Sequence, residues 1–378
     1  MIYYLGYYAD IENNVEQRTC SVAAVNKMRY ISQAIGEVGE EIEIVSASGS
    51  RLNKKLPGTI RKLSNNVQLK LFSTRKNKNV FDRIIGRFLR YRALKLYLCQ
   101  VLNENNTLLV YHAITLIPLL KKLRKKKKFR LILEVNELYS DVSNKKAERK
   151  KEDSIFKLAD GFLFATEFLH KKINKENKPY LINNGTYEVE PILETPLDDG
   201  LIHCVYAGTF DEKKGGALAA IESGRFLDSG YHIHILGFGT EQEVDTIKSR
   251  IEEINQLGGC YLSYDGLLSG LEYVRFLQKC HIGLSTQDAT KVFNSTSFPS
   301  KLLSYLSNGL KIVSARMPVI ENSNIGDIVY YYESQAPNEI ANAIQNASEN
   351  NSYNARQRLR ELDKQFKNNI IQLLYGKR

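Results

Sequence analysis

The chain has 378 residues, 43% hydrophobic and 25% charged, with no Trp and a formal net charge of +11. That length is enough for two domains, each with its own core. No apolar run reaches the roughly 18 residues of a membrane-spanning helix, and five scattered cysteines without a Cys-x-x-Cys pair exclude a zinc knuckle or disulfide framework and fit free thiols in a reducing compartment.

The surplus charge is local. Residues 51–130 hold 22 Lys/Arg against two acids, Asp82 and Glu104, so this region is +20 and the rest of the chain −9. Its densest part, "KKLRKKKKFR" at 121–130, follows the apolar "LIPLL". An amphipathic cationic segment of this kind suits an anionic membrane surface; a nucleic-acid phosphate backbone or a merely solvated face are the other readings.

In chain order, "MIYYLGYYAD" has no basic stretch of a secretory signal, and residues 1–9 read as a first strand with Gly6 in the turn after it. A helix follows at about 20–38, then a strand in "EEIEIVSAS". Residues 50–105 are basic and mostly helical in pattern, ending in "VFDRIIGRFLRYRALKLYLCQVL". Strands are expected at 107–112 and 130–135, helix then strand in "DSIFKLADGFLFAT", and a short strand in "KPYLINNG". The repeated β-α order predicts a parallel sheet covered by helices. Pro191 and Pro196 in an aperiodic stretch mark a linker at about 186–200. The same grammar restarts with strands in "LIHCVYAG", "YHIHILGFG", "CYLSYDG", "CHIGLST" and "LKIVSA", and closes on polar helix over 337–375.

Three strand ends carry candidate chemistry. "YAGTFDEKKGGALAAI" places Gly208, Lys213, Lys214 and two glycines between a strand and a helix, where an anion is favoured. "ILGFGTEQE" supplies Gly237 and Gly239 without the third glycine of a dinucleotide fingerprint, and "SYDGLLS" adds Asp265 and Gly266. Each of these also reads as an ordinary tight turn. In "TSFPSKLLSYLSNGLKIVSA", Pro299 is expected at the first helical position with Ser297 or Phe298 as cap, and Asn308-Gly309 as the stop. Lys301 in that first turn opposes the helix dipole unless an anion lies beside it.

The order "GTFDEKKGG … ILGFG … YDGL … FPSKLLSYLSNGLKIVSA" resembles the C-terminal domain of GT-B retaining glycosyltransferases of the group 1 (family 4) type over residues 202–330. The resemblance extends more loosely through "LVYHAI" and "EDSIFKLADGFLFAT…LINNG". It implies an α/β chain of two Rossmann-like parallel-sheet domains facing a central cleft. The acceptor-binding domain would span 1–190, the nucleotide-sugar-binding domain 191–354, and a helix over 355–378 would cross back. It further implies a nucleotide-sugar donor, UDP-linked by preference, with no cofactor and no metal, because basic residues neutralise the diphosphate.

Carried over residue by residue, the catalytic set is His112, Lys214 and Lys301. Donor contacts fall to Gly208, Thr209 and Phe210, to Gly237 and Gly239, and to Asp265, Gly266 and Leu267. Thr296, Ser297, Phe298, Pro299, Ser300 and Ser304 complete them. Gly6, Glu134, Asn136 and Glu137 are the acceptor candidates. The chain departs from the family at its Glu-x7-Glu pattern, where Thr296 and Ser304 stand, and at an arginine replaced by Thr209-Phe210. The expected acceptor is a lipid-linked glycan of bacterial surface polysaccharide at the cytoplasmic face of the membrane, with no nucleic-acid partner. A non-catalytic basic membrane- or nucleic-acid-binding protein and a GT-B sugar-nucleotide epimerase are the rival functions.

Overall fold

A computed structural model describes residues 1–10, 15–76, 78–143, 145–211, 216–289, 298–350 and 354–376. Its contacts divide the chain into two units, Met1–Thr186 with Gln365–Arg378, and Tyr187–Lys364.

In the first unit the strands are β1 (Ile2–Gly6), β2 (Ile42–Ser46), β3 (Thr59–Lys62), β4 (Val67–Leu71), β5 (Thr107–Tyr111), β6 (Arg130–Val135), β7 (Gly161–Phe164) and β8 (Tyr180–Ile182). Among the described residues they form one sheet in the order β3-β4-β2-β1-β5-β6-β7-β8. Every residue of β1 and β2 is buried, as in a sheet covered by helices on both faces. The helix Val22–Glu37 supplies part of that cover through Met28, Ile31 and Ile35, all at 0% exposure. A fully buried side chain of this size contributes about 1.5–3 kcal/mol. Gly6 ends β1 rather than lying beyond it; a Cβ there would come 2.6 Å from the Met28 sulfur.

Two elements in this unit correct the sequence reading. The "mostly helical" stretch 50–105 contains β3 and β4, which pair antiparallel and so interrupt the parallel order. β3 is a sheet edge with no buried residue, and a charged, half-wet edge strand lacks the apolar run that marks a buried one. The helix Ile117–Arg124 buries Ile117, Leu119, Leu120 and Leu123, so the apolar residues before the lysine run belong to the core and offer a membrane nothing. A different helix, Val80–Val101, leaves Phe81 76%, Ile84 61% and Phe88 63% exposed. The chain's last helix, Ala355–Tyr375, has its second half in this unit: Phe366 stacks on Tyr30 at 5.4 Å, and Thr107 donates to the Leu374 carbonyl at 2.8 Å.

The second unit holds β9 (Ile202–Thr209), β10 (Tyr231–Phe238), β11 (Tyr261–Gly266), β12 (Ile282–Ser285), β13 (Lys311–Ala315) and β14 (Val329–Tyr332). They form a parallel sheet ordered β11-β10-β9-β12-β13-β14. Each sheet reverses its direction of growth once, between β1 and β5 and between β9 and β12. Ligands of open α/β sheets bind at the carboxyl ends of strands beside such a reversal.

The helix after β12 is Lys301–Ser307, with Ser300 as its N-cap. Pro299 therefore precedes the cap, where its carbonyl accepts from Leu302 N–H at 3.1 Å, rather than occupying the first helical position, and Phe298 is not the cap. Its apolar face is Leu302, Leu303 and Leu306. Gly309, at φ +94°, lets the Gly309 and Leu310 N–H groups reach the Leu306 and Tyr305 carbonyls, at 3.0 Å each, which is the Schellman closure expected of Asn-Gly. Among the described residues no helix is long and apolar enough to cross a membrane.

Candidate active site

At the β9/β12 reversal, Tyr305 fastens the short helix to the sheet. Its hydroxyl accepts from the Ala207 N–H at 3.0 Å and donates to the Leu284 carbonyl at 3.2 Å. Gly283 makes room for the ring, since a Cβ there would lie 2.3 Å from it. The same helix carries Lys301 back to the end of β9, where its ammonium sits 4.4 Å from the centroid of the Tyr206 ring. Burial pushes the Tyr206 phenol up to about 12, so the ring stays neutral, and its hydroxyl donates to the Thr209 carbonyl at 3.2 Å. A cation over a tyrosine face is stabilised by about 0.5–1 kcal/mol.

Two glycines keep this corner open. A Cβ on Gly208 would stand 3.0 Å from the Tyr206 oxygen and 3.3 Å from the Lys301 nitrogen, and one on Gly216 would stand 2.9 Å from the same oxygen. Tyr206, Gly208, Gly216 and Lys301 thus converge on one backbone-lined, positively charged corner. Lys214, Thr296 and Ser297 lie outside the described residues.

The neighbouring strand ends are built for close approach. Gly237 has φ +151°, and a Cβ on it would fall 1.8 Å from the Gly208 carbonyl oxygen. Phe210 is buried against Tyr264 at 5.8 Å, and its N–H donates to the Phe238 carbonyl at 3.0 Å. Gly239 precedes the helix Glu241–Asn255, whose first turn is closed by the Thr240–Glu243 capping box. Gly266, at φ +77°, turns the chain out of β11, and Phe238 and Leu267, 54% and 65% exposed, stand at adjoining strand ends as apolar surface. Asp265 points elsewhere. It is the extra residue of a bulge between β10 and β11, a device that re-aims a side chain. Its carboxylate accepts from Ser263 at 2.8 Å and meets His234 at 3.2 Å. The Ser304 side chain neighbours Tyr273 on the helix Gly270–Gln278, where it opposes the upward push of burial on the Tyr273 phenol.

In the first unit the acceptor candidates separate. Glu134 is wholly buried, bound by the Tyr4 hydroxyl and by the Asn136 amide at 2.9 Å. Lys27 lies 3.8 Å away and donates to the Asn136 side chain at 2.6 Å and to the Asn183 carbonyl at 3.0 Å. Burial raises the Glu134 carboxyl against the pull of Lys27, and burial lowers Lys27. Glu137 is exposed.

His112 follows β5 at the other reversal and is 3% exposed, between the rings of Tyr139 and Phe156. Its Nε2 lies 3.1 Å from Glu152, which also accepts the Tyr139 and Ser140 N–H groups at 2.9 and 3.1 Å. Burial would raise Glu152, but bonds from His112 and Ser140 outweigh it and hold the carboxyl below its usual range.

Tyr206, Tyr305 and Glu152 are absent from the sequence reading. The signal for Glu152 was available: it shares the buried face of the helix Lys146–Phe156 with Ile155 and Phe156 at helical spacing, and a lone carboxylate on such a face needs a partner. Nothing in the sequence distinguishes Tyr206 from any other apolar strand residue.

No protein-family model matches the sequence, and no curated protein matches it. Solved structures do. Sucrose-phosphate synthase from Thermosynechococcus elongatus superposes with a TM-score of 0.59 at 13% identity, over 100% of this chain and 95% of that one. The lipopolysaccharide outer core galactosyltransferase WaaB gives 0.62 at 14% identity, over 100% and 99%. Escherichia coli trehalose-6-phosphate enzyme bound with UDP-2-fluoro glucose gives 0.61 at 10% identity, over 97% and 95%. The two Rossmann-like sheets are therefore those of the GT-B fold, the architecture these glycosyltransferases share.

Proposed function

We propose that the protein is a retaining glycosyltransferase that moves a hexose from a nucleoside diphosphate sugar, with UDP as the favoured carrier, to a lipid-linked glycan in bacterial surface polysaccharide synthesis. The observation that carries this reading is the placement of Lys301 over Tyr206 beside Gly208, at the strand reversal of the second GT-B sheet. A diphosphate received there meets a fixed ammonium and a backbone without a Cβ in its way. The same ammonium stabilises the negative charge that builds on the departing nucleotide; Lys214, outside the described residues, is the second diphosphate ligand the resemblance implies. Phe238 and Leu267 offer the nucleoside an apolar edge. The acceptor hydroxyl attacks the anomeric carbon on the face the nucleotide leaves, and a leaving phosphate oxygen takes the hydroxyl proton. No protein nucleophile and no metal enter that scheme. His112, its ring fixed by Glu152, is the first unit's candidate for bonding a sugar hydroxyl.

The lipid-linked acceptor and a peripheral place on the cytoplasmic membrane face are supported by the helix Val80–Val101. Phe81, Ile84, Ile85 and Phe88 recur at helical spacing and are all exposed. On the same helix, Arg83, Arg87 and Arg90 join Arg51 and Arg75 in lining a cleft of about 480 Å³. Apolar side chains flanked by arginines suit the headgroup layer of an anionic bilayer and the phosphates of a lipid carrier. Co-sedimentation with vesicles tests this part: binding to anionic vesicles that falls with salt and with Phe81→Ser/Phe88→Ser supports it, and equal binding to neutral vesicles contradicts it.

One observation favours the non-catalytic reading. Ser304, a short uncharged side chain, stands where the resemblance expects a ribose-binding carboxylate. Incubation with a panel of nucleotide sugars and a lipid-glycan extract decides between the two. A glycosylated lipid whose new anomeric centre matches the donor's is the expected product. Sugar isomerisation without acceptor identifies an epimerase, and an untouched donor pool identifies a binding protein.

A further inference from the structure

Four of the chain's six histidines lie together at the amino-terminal end of the second sheet, and the proposed transfer uses none of them. His203 of β9 is in register with His232 of β10, and His234 lies two residues further along the same face. The His203 Nδ1 and His234 Nε2 atoms are 2.9 Å apart. The outer nitrogens face carboxylates: His203 Nε2 lies 3.1 Å from Asp199 and His234 Nδ1 lies 3.2 Å from Asp265. His232 Nε2 is 2.9 Å from the Ser263 hydroxyl. His281 is spoken for, because its Nδ1 accepts the His203 backbone N–H at 3.0 Å.

The proton inventory of this row closes without an added cation only if His234 gives up donating to Asp265 and its Nδ1 instead accepts from the Ser263 hydroxyl, 3.2 Å away. A neutral imidazole has one N–H and one lone pair, and a carboxylate only accepts. If His203 donates to Asp199 and His234 donates to Asp265, the two nitrogens that face each other both carry lone pairs. That arrangement needs a shared cation between the rings. It is also how metal-bound histidines are held, with the far nitrogen donating to a carboxylate that fixes tautomer and ring plane. His232 supplies the third ligand, since one nitrogen from each of the three rings lies within 4.8 Å of the others. A tetrahedral ion at about 2.0–2.1 Å from each nitrogen separates ligands by about 3.3 Å, between the 2.9 Å and 4.8 Å found. The two carboxylates also place negative charge beside the rings, which favours a divalent ion there.

We infer that His203, His232 and His234 form a binding site for a borderline divalent transition metal, Zn²⁺ in the first instance, oriented by Asp199 and Asp265. Three imidazoles leave one coordination position open. The site lies lower on the same strands: His203 is three residues before Tyr206 on β9, and His234 pairs with Val205, one residue before it. Its task is to clamp β9, β10 and the segment carrying Asp199, separately from any diphosphate chemistry.

The test uses tag-free full-length protein stripped of metal, titrated with Zn²⁺ against a chromophoric chelator and separately with Co²⁺. One equivalent of Zn²⁺ is expected, with the strong visible bands of four-coordinate Co²⁺. His232→Gln, at a half-buried position, and Asp199→Asn, whose side chain is half exposed, are each expected to fold and to weaken Zn²⁺ at least tenfold. Absence of stoichiometric binding, or variants that bind as well as the parent, overturns the site and assigns the row a shared proton instead.

Discussion

Replacing Lys301 with Met keeps the four-atom stem over Tyr206 and deletes the charge, so two effects separate. The first effect, in the free protein, includes loss of the cation–ring contact at 4.4 Å, which by itself contributes about 0.5–1 kcal/mol, or roughly 1–4 °C in melting temperature for a unit of this size. The binding effect is larger, because a hydrogen bond between charged groups contributes about 1.5–3 kcal/mol. UDP affinity is expected to fall about 10- to 150-fold. Uridine has no phosphate and should bind both proteins alike, so the loss belongs to the UDP arm alone. Calorimetric titration of parent and variant with each ligand reads all four values. Equal UDP affinities, or an equal loss for uridine, would refute the reasoning that this ammonium receives the diphosphate.

Three further outcomes follow from the same geometry. Lys27→Met leaves Glu134 as a buried carboxylate without its cation and should lower stability to urea by about 3–5 kcal/mol. Adding Glu134→Gln should recover most of that loss, and a double variant no better than the single one would contradict the pairing. Gly237→Ala forces a Cβ to 1.8 Å from the Gly208 carbonyl at φ +151°. It is expected to destabilise by at least about 1–3 kcal/mol and to abolish UDP binding with the distorted strand ends; a variant with the parent's melting point would count against it. Glu152 is held below its ordinary value near 4.5, so its contribution is present above that pH and is lost as pH falls through the folded value. The stability gap between parent and Glu152→Gln should therefore be widest near neutrality and shrink below pH 4.5. A gap that widens with acid would reverse the sign.

Fold class and much of the element order were legible because buried parallel strands such as "LIHCVYAG" and "RLILEV" are mainly apolar runs, interrupted by His203 and Glu134, between helical periods. The edges were not. β3 reads "TIRK" and β14 reads "VYYY", short and partly exposed, with their place fixed by pairing to a neighbour rather than by local pattern. Lys301, Gly208 and Gly237 could be picked out because turns, glycines and a misplaced charge are local signals. Tyr206 and Tyr305 could not, because their role comes from which strand lies beside which. The histidine row is an intermediate case: "YHIHIL" shows two histidines on one strand face, but His203 joins them only through a register that a single sequence does not encode. Glu134 reads as a polar strand end yet is core, because Lys27, 107 residues earlier, supplies its counter-charge.

The most direct test of the central claim is a titration of the protein with UDP, UDP-hexoses and the corresponding free sugars, read by thermal shift without any acceptor. The account predicts stabilisation by UDP and at least one UDP-hexose, none by the free sugars, and loss of both shifts in Lys301→Met. A protein indifferent to every nucleotide of the panel, or one whose shift survives in Lys301→Met, would contradict it.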